Sequence, residues 1–343
     1  MTLETRKPTG IPPWPLILLE GPEKAGKSWS AAEFTACERI GRKLWLDLGE
    51  GAADEYAAIP GADYEVIVHD GTWGRILGQI RDAHDAAQQA MDAGEKPWLL
   101  VIDSMTAIWE LLKKWVGQRA RNSQMGRRQL AKDPDAEVSA SRNLWNDAHD
   151  RHAQLMGLLM TFPGVVVATA RGKEVSGTDD KGQPIPGVKE YRVEGQRTLA
   201  HDATAWVRLS RTEPPTVIGV RSVHSGLRPG VDNPVPVPDF SVEWLVFDLL
   251  KCDPKQAKTR DLVTQPDFAV VAKRALEADS REEITAVWTL AKNADYLDTA
   301  DSEGITIRDT LLARIEAVKA KAAETKQQAT EAPSAPEAED PAA

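Results

Sequence analysis

The chain has 343 residues, a formal net charge of −10, 42% hydrophobic and 27% charged residues. That balance excludes a disordered or collagen-like chain and leaves room for a sizeable core. Two cysteines, Cys37 and Cys252, exclude a disulfide scaffold and a Cys-rich zinc site.

In chain order, the opening MTLETRKPTGIPPWP lacks an apolar signal core. No apolar run approaches the roughly 20 residues of a membrane helix, so a cytoplasmic protein with no membrane partner is expected. Leu16–Leu19 reads as a short strand and Trp29–Ile40 as a helix. Lys43–Leu48 and Tyr64–Val68 read as strands, with an amphipathic helix over Gly74–Met91. Trp98–Ile102 and Val165–Thr169 are continuous apolar runs, the pattern of strands buried on both faces. Strands alternating with helices predict an α/β fold with a mainly parallel sheet. Ala205–Leu209, Thr216–Val223 and Val242–Leu249 follow without long helices between them and predict an antiparallel extension. Asp267–Ala278, Ser280–Asn293 and Thr306–Ala322 read as helices of a small C-terminal module. Ser280 with Glu283 has capping-box spacing. Beyond Thr325 the Ala-, Pro- and Glu-rich sequence cannot bury a core. The expected domains are therefore residues 1–253, a helical module at 254–324, and a disordered acidic tail at 325–343.

The strongest motif is Gly21-Pro22-Glu23-Lys24-Ala25-Gly26-Lys27-Ser28, which fits G-x-x-x-x-G-K-[ST] between an apolar strand and a helix opening at Trp29. Backbone N–H groups of such a loop and the helix N-terminus point at an anion. Lys27 would reach the β- and γ-phosphates, and the Ser28 hydroxyl would ligate Mg²⁺. These residues predict ATP and Mg²⁺ as cofactors.

Three further positions fit hydrolysis. Trp98–Asp103 is an apolar strand ending in an acid, so Asp103 would anchor the metal ion. The strand Lys43–Leu48 leads into Glu50, the first candidate for orienting water, with Asp47 second. Thr169, at the end of a strand expected beside the loop, would sense the γ-phosphate, with Arg171 and Lys173 following it.

In their order, GPEKAGKS, LWLDLGEGAADEYA, LLVIDSMTAI and VVVATARGKE resemble the core of RecA-type ATPases, over roughly Ile11 to Leu250. More narrowly, the chain resembles the short RecA-like (AAA-type) ATPases of bacteriophages, several of them linked to recombination and single-strand annealing. The resemblance implies a RecA-like P-loop NTPase core with Lys27, Glu50, Asp103 and Thr169 in catalytic places. It implies an ATPase acting on DNA in the bacterial host cytoplasm. Thr169-Ala170 stands where bacterial recombinases carry an amide side chain. Only about 15 residues precede the first strand, so the polymerisation helix of those recombinases is not expected.

The implied partners are single-stranded DNA, further copies of the chain in a ring or filament, and phage recombination or replication proteins. From Leu111 to Lys132 the sequence carries Lys113, Lys114, Arg119, Arg121, Arg127, Arg128 and Lys132 with no acid, and Trp115 lies inside the run. Cations neutralise phosphates and aromatic rings stack on unpaired bases, so this segment is the first candidate DNA contact. The polar stretch Gly172–Arg197, with Lys173 and Tyr191, reads as a long loop and is the second. Arg221 and Arg228 are candidates for reaching a neighbouring subunit's phosphates. A ring-forming helicase or translocase motor, and a small-molecule kinase without DNA, are the alternative functions.

Overall fold

The computed structural model describes residues 5–49, 51–179, 183–228, 230–232, 234–260, 262, 268–301 and 304–330. The chain divides into two compact units, Met1–Leu262 and Val263–Ala343.

In the first unit β1 (Leu16–Gly21) leads through the glycine-bearing loop into α1 (Lys27–Phe34). Then come β2 (Lys43–Asp47), α2 (Ala53–Tyr56), β3 (Glu65–Val66) and α3 (Trp73–Asp92). Next are β4 (Trp98–Asp103), α4 (Met105–Asn122), α5 (Gln124–Lys132) and α6 (Arg142–Met160). β5 (Gly164–Thr178), β6 (Pro184–Glu194), α7 (Leu199–Asp202), β7 (Ala205–Arg208), β8 (Thr216–Val220) and β9 (Val235–Pro236) complete it.

The described strands form one nine-stranded sheet in the order β3-β2-β4-β5-β1-β7-β8-β9, with β6 paired to β5. β3 through β7 on that path are parallel, while β6, β8 and β9 are antiparallel additions. The expected mainly parallel α/β core with an antiparallel extension is the architecture that forms. β5 separates β1, which carries the phosphate-loop motif, from β4, which carries Asp103.

The apolar runs are continuous because each strand buries both faces. Leu16, Leu18, Leu100, Ile102, Val166 and Ala168 pack on one side, against α3, α4 and α6. Their alternates Ile17, Leu19, Leu99, Val101, Val165 and Val167 pack on the other, with Ala31, Phe34 and Phe247. Alternation with period two sends successive side chains to opposite cores.

Three local expectations change. The helix expected over Trp29–Ile40 begins at Lys27 and stops at Phe34, where the Thr35 hydroxyl bonds back to Ala32 O at 2.6 Å. Val242–Leu249 is not a strand but enters a π-helical turn at Trp244–Leu249. Its buried residues Val242, Leu245, Val246 and Leu250 recur at helical spacing on one core face. The stretch expected as a long loop over Gly172–Arg197 is mostly a β-hairpin. There Lys173 pairs with Arg192 and Glu174 with Tyr191, and Asp179 N donates to Gln183 O at 2.9 Å at the turn.

The first unit reaches past residue 253, the expected limit of the core domain. Ala257 is buried in the core, Trp14 N donates to Lys258 O at 3.0 Å, and Arg260 donates to the Thr204 hydroxyl. The second unit contains α8 (Phe268–Glu277), α9 (Arg281–Asn293) and α10 (Ile307–Thr330) around Val271, Ala275, Ile284 and Leu311. Ser280 Oγ accepts from Glu283 N at 3.2 Å, the capping bond its spacing predicts. α10 extends beyond residue 324, and the rest of the expected disordered tail, 331–343, lies outside the described residues.

Candidate nucleotide-binding site

The site forms where β1 and β4 end, beside the stretch of β5 around Thr169, at the carboxyl edge of the parallel sheet, the usual place for a ligand in an open α/β fold. β1 delivers the loop Gly21–Ser28. Gly21 runs so close to β7's end that a Cβ would meet the Leu209 carbonyl oxygen at 2.2 Å. Gly26, at φ 90°, turns the chain into α1 through a left-handed conformation that favours glycine. No side chain caps α1, so its first N–H groups are left for an anion. Lys27 Nζ donates to Gly21 O at 3.0 Å and Pro22 O at 2.7 Å, which holds the ammonium folded back over the loop. Lys24 is exposed, at φ 57°.

A cavity of about 460 Å³ opens over this loop and gathers Lys27, Ser28, Asp103, Thr169, Arg171 and Lys173. Asp103 is 3% exposed and Thr169 fully buried. The Thr169 hydroxyl donates to Asp103 Oδ1, which ties the acid strand to its neighbour. The peptide bond between Asp103 and Ser104 is cis. A buried carboxylate facing the Ser28 hydroxyl across one cavity is a hard oxygen donor pair that suits Mg²⁺. Ser28 and Asp103 are the residues that would hold that ion, whose charge would offset the phosphate oxygens.

The other expected residues are placed as follows. Glu50 lies outside the described residues. Asp47 is committed to the backbone: its carboxylate accepts from Gly51 N at 3.2 Å and Ala53 N at 3.1 Å, at the entry to α2. Trp29 is 50% exposed and meets Tyr56 edge-on at 6.3 Å. Lys173 lines the nucleotide cavity and pairs with Glu194 at 2.7 Å. Lys113 pairs with Glu110. Lys114, Arg119 and Arg121 are exposed on α4, and Arg127 and Arg128 on α5, away from the nucleotide cavity. Arg221 and Arg228 do not line that cavity either, and Arg228 is held by Asp232 in a two-pronged pair, both bonds 2.9 Å.

Sequence reasoning passed over Glu20 and Tyr56. Glu20 is fully buried at the end of β1 and accepts from Arg208 Nε at 2.7 Å. Burial pushes its carboxyl above the ordinary range, against the pull of Arg208. Arg208 in turn lies 4.2 Å from the centre of the Tyr191 ring, so the hairpin rests on the residue before the loop. A lone acid at the end of LILLE was the available signal. Tyr56, on α2, lines the nucleotide cavity. Its only signal was an aromatic residue shortly after the Asp47 strand.

The AAA-domain family model matches residues 15–209, more than half of the chain. Among solved structures, the chain is similar to a prototypical ATPase from the type III secretion system of pathogenic bacteria, at 12% identity. That match covers 90% of this chain and 83% of the other, with a TM-score of 0.34. It is also similar to the RadB recombinase at 13% identity, over 61% of this chain and 81% of that one, with a TM-score of 0.34. No curated protein matches the chain. The family match spans β1 through the end of β7, which includes every wall of the nucleotide cavity, and the chain belongs to this AAA-domain family of P-loop ATPases.

Proposed function

We propose that the protein binds and hydrolyses Mg-ATP in a manner dependent on single-stranded DNA, and acts in phage DNA recombination or replication. The observation that carries the ATPase reading is the convergence of Lys27 from α1, Asp103 from β4 and Thr169 from β5 on one cavity over the phosphate loop. Lys27 would neutralise the β- and γ-phosphates. Thr169, bonded to Asp103, would couple the metal anchor to β5. Glu50, which follows β2 in the sequence, would orient the attacking water.

The DNA half rests on charge and continuity. The exposed cations of α4 and α5 make a positive surface on an acidic chain. β5 continues directly from the site into the β5–β6 hairpin, so a ligand gripping the hairpin would act on the same strand as Thr169.

The test is the steady-state ATPase rate with and without single-stranded DNA, beside a strand-displacement assay. The expected outcome is stimulation by DNA without unwinding. Unwinding would replace this reading with a ring motor, and indifference to DNA would overturn the DNA half. Lys27→Ala should abolish turnover while circular dichroism stays that of the wild type; unchanged turnover would overturn the ATPase half.

A further inference from the structure

A second cavity, larger than the nucleotide cavity at about 670 Å³, lies beside it at the same edge of the sheet. This size is ordinary for a small-molecule or nucleobase site. Four elements wall it, with β5 contributing Arg171. Leu48 and Gly49 follow β2, His69 to Trp73 lead into α3, and α4 gives the third wall. On α4 the lining residues Ala107, Leu111, Lys114 and Gln118 are spaced four, three and four apart, a single helical face. The same spacing continues to the exposed Arg121. Trp73 and Trp115 supply flat apolar surface, and Arg151 fixes the Trp115 indole from 4.4 Å. The rim is polar, with His69 and Thr72 beside the two cations Lys114 and Arg171. Its acid, Glu110, is paired with Lys113.

Flat aromatic walls with a cationic strip running off one end match the chemistry of a base attached to a phosphate chain. We propose that this cavity takes one unstacked base of single-stranded DNA, with the adjoining phosphates along Lys114 and Arg121. The proposal rests on the DNA-dependent reading above and adds where a base is held. It also supplies a route to the nucleotide. Arg171 lines both cavities, and its backbone N–H donates to the Thr106 hydroxyl, another wall of the base cavity, at 2.9 Å. Gly49 lies in the base cavity immediately before Glu50. A base seated there touches the approaches to both the sensor strand and the water-orienting loop.

The experiment compares binding of the full chain, by fluorescence anisotropy, to labelled oligothymidylate and to an abasic oligonucleotide of equal length. The two have the same phosphates, so only base contacts separate them. The wild type should bind the thymidylate at least about tenfold more tightly, the size of one stacked base. Trp115→Ala should reduce that preference to within about twofold, and Trp115→Phe should restore it. Leu111→Trp fills the cavity from the same helix face and should also erase the preference, which decides the matter if Trp115→Ala does not fold. If folded variants of both kinds keep the wild-type preference, or the wild type itself shows none while binding both oligonucleotides, the base cavity is overturned and the DNA reading stands. If the wild type binds neither oligonucleotide, the DNA reading falls and takes the base cavity with it.

Discussion

Replacing Thr169 by valine isolates the bond that joins the sensor strand to the metal anchor. Thr169 is fully buried and Asp103 is 3% exposed, so their bond is largely shielded from water. Valine keeps the shape of threonine, which removes cavity and overlap effects and leaves one change, the loss of the hydroxyl that donates to Asp103 Oδ1. A hydrogen bond to a charged group contributes about 1.5–3 kcal/mol, and a buried acceptor left short of a donor keeps its desolvation cost. Thr169→Val should therefore lower the unfolding free energy of the first unit by about 2 kcal/mol at neutral pH. Urea unfolding of the full chain, followed by tryptophan fluorescence, reads this as a lower midpoint with an unchanged slope. Thr169→Ser, which retains the donor, should recover most of the loss. A Thr169→Val cost below about 0.5 kcal/mol would show that Asp103 does not depend on this hydroxyl, and the proposed coupling of the metal anchor to β5 would go with it.

Two further outcomes follow from buried groups at other positions. His152 is 3% exposed, and burial pushes its imidazole down to about 4, with His149 adding to the effect and Asp202 opposing it. A folded-state value below the unfolded one near 6.5 means the unfolded chain binds the proton first. The stability is whole above pH 6.5 and is lost as pH falls toward 4, about 2 kcal/mol of it by pH 5. Urea midpoints at pH 7 and pH 5 should fall less in His152→Leu than in the wild type, and parallel shifts would refute the assignment. Gly21→Ala places a methyl 2.2 Å from a backbone oxygen that cannot swing away, so the phosphate loop must shift. Overpacking of about 1–3 kcal/mol should weaken Mg-ATP binding about tenfold or more in calorimetry, and wild-type affinity would refute the close approach.

What could be read in advance was local. The phosphate loop and the Asp103 strand are contiguous segments whose chemistry depends on spacing along the chain, and both lie together as their motifs demand. The parallel core was legible because strands buried on both faces leave uninterrupted apolar runs. Val242–Leu249 was misread because a short apolar run has no period of its own; only the core it packs against selects a helical turn. The hairpin was missed because its few apolar residues, Val175, Ile185, Val188 and Val193, are scattered among polar, Gly and Pro positions without a strand period. Its order comes from pairing Gly172 with Val193 and Lys173 with Arg192, partners far apart in sequence. The Glu20–Arg208–Tyr191 cluster draws on β1, β7 and β6, and no single segment announces it.

β5 passes without interruption from the buried sheet through Thr169 and out to Thr178. Side chains on a strand alternate, so Thr169, Arg171 and Lys173 share one side, and all three line the nucleotide cavity. Gly172, of opposite parity, faces Glu20 and Tyr191, where any larger residue would collide. The strand is thus a rod that sends its odd side chains toward the phosphate loop and leaves room on its even side for the hairpin clamp. A single residue added between Thr169 and Arg171 would exchange the two sides and turn both cations away from the phosphate loop.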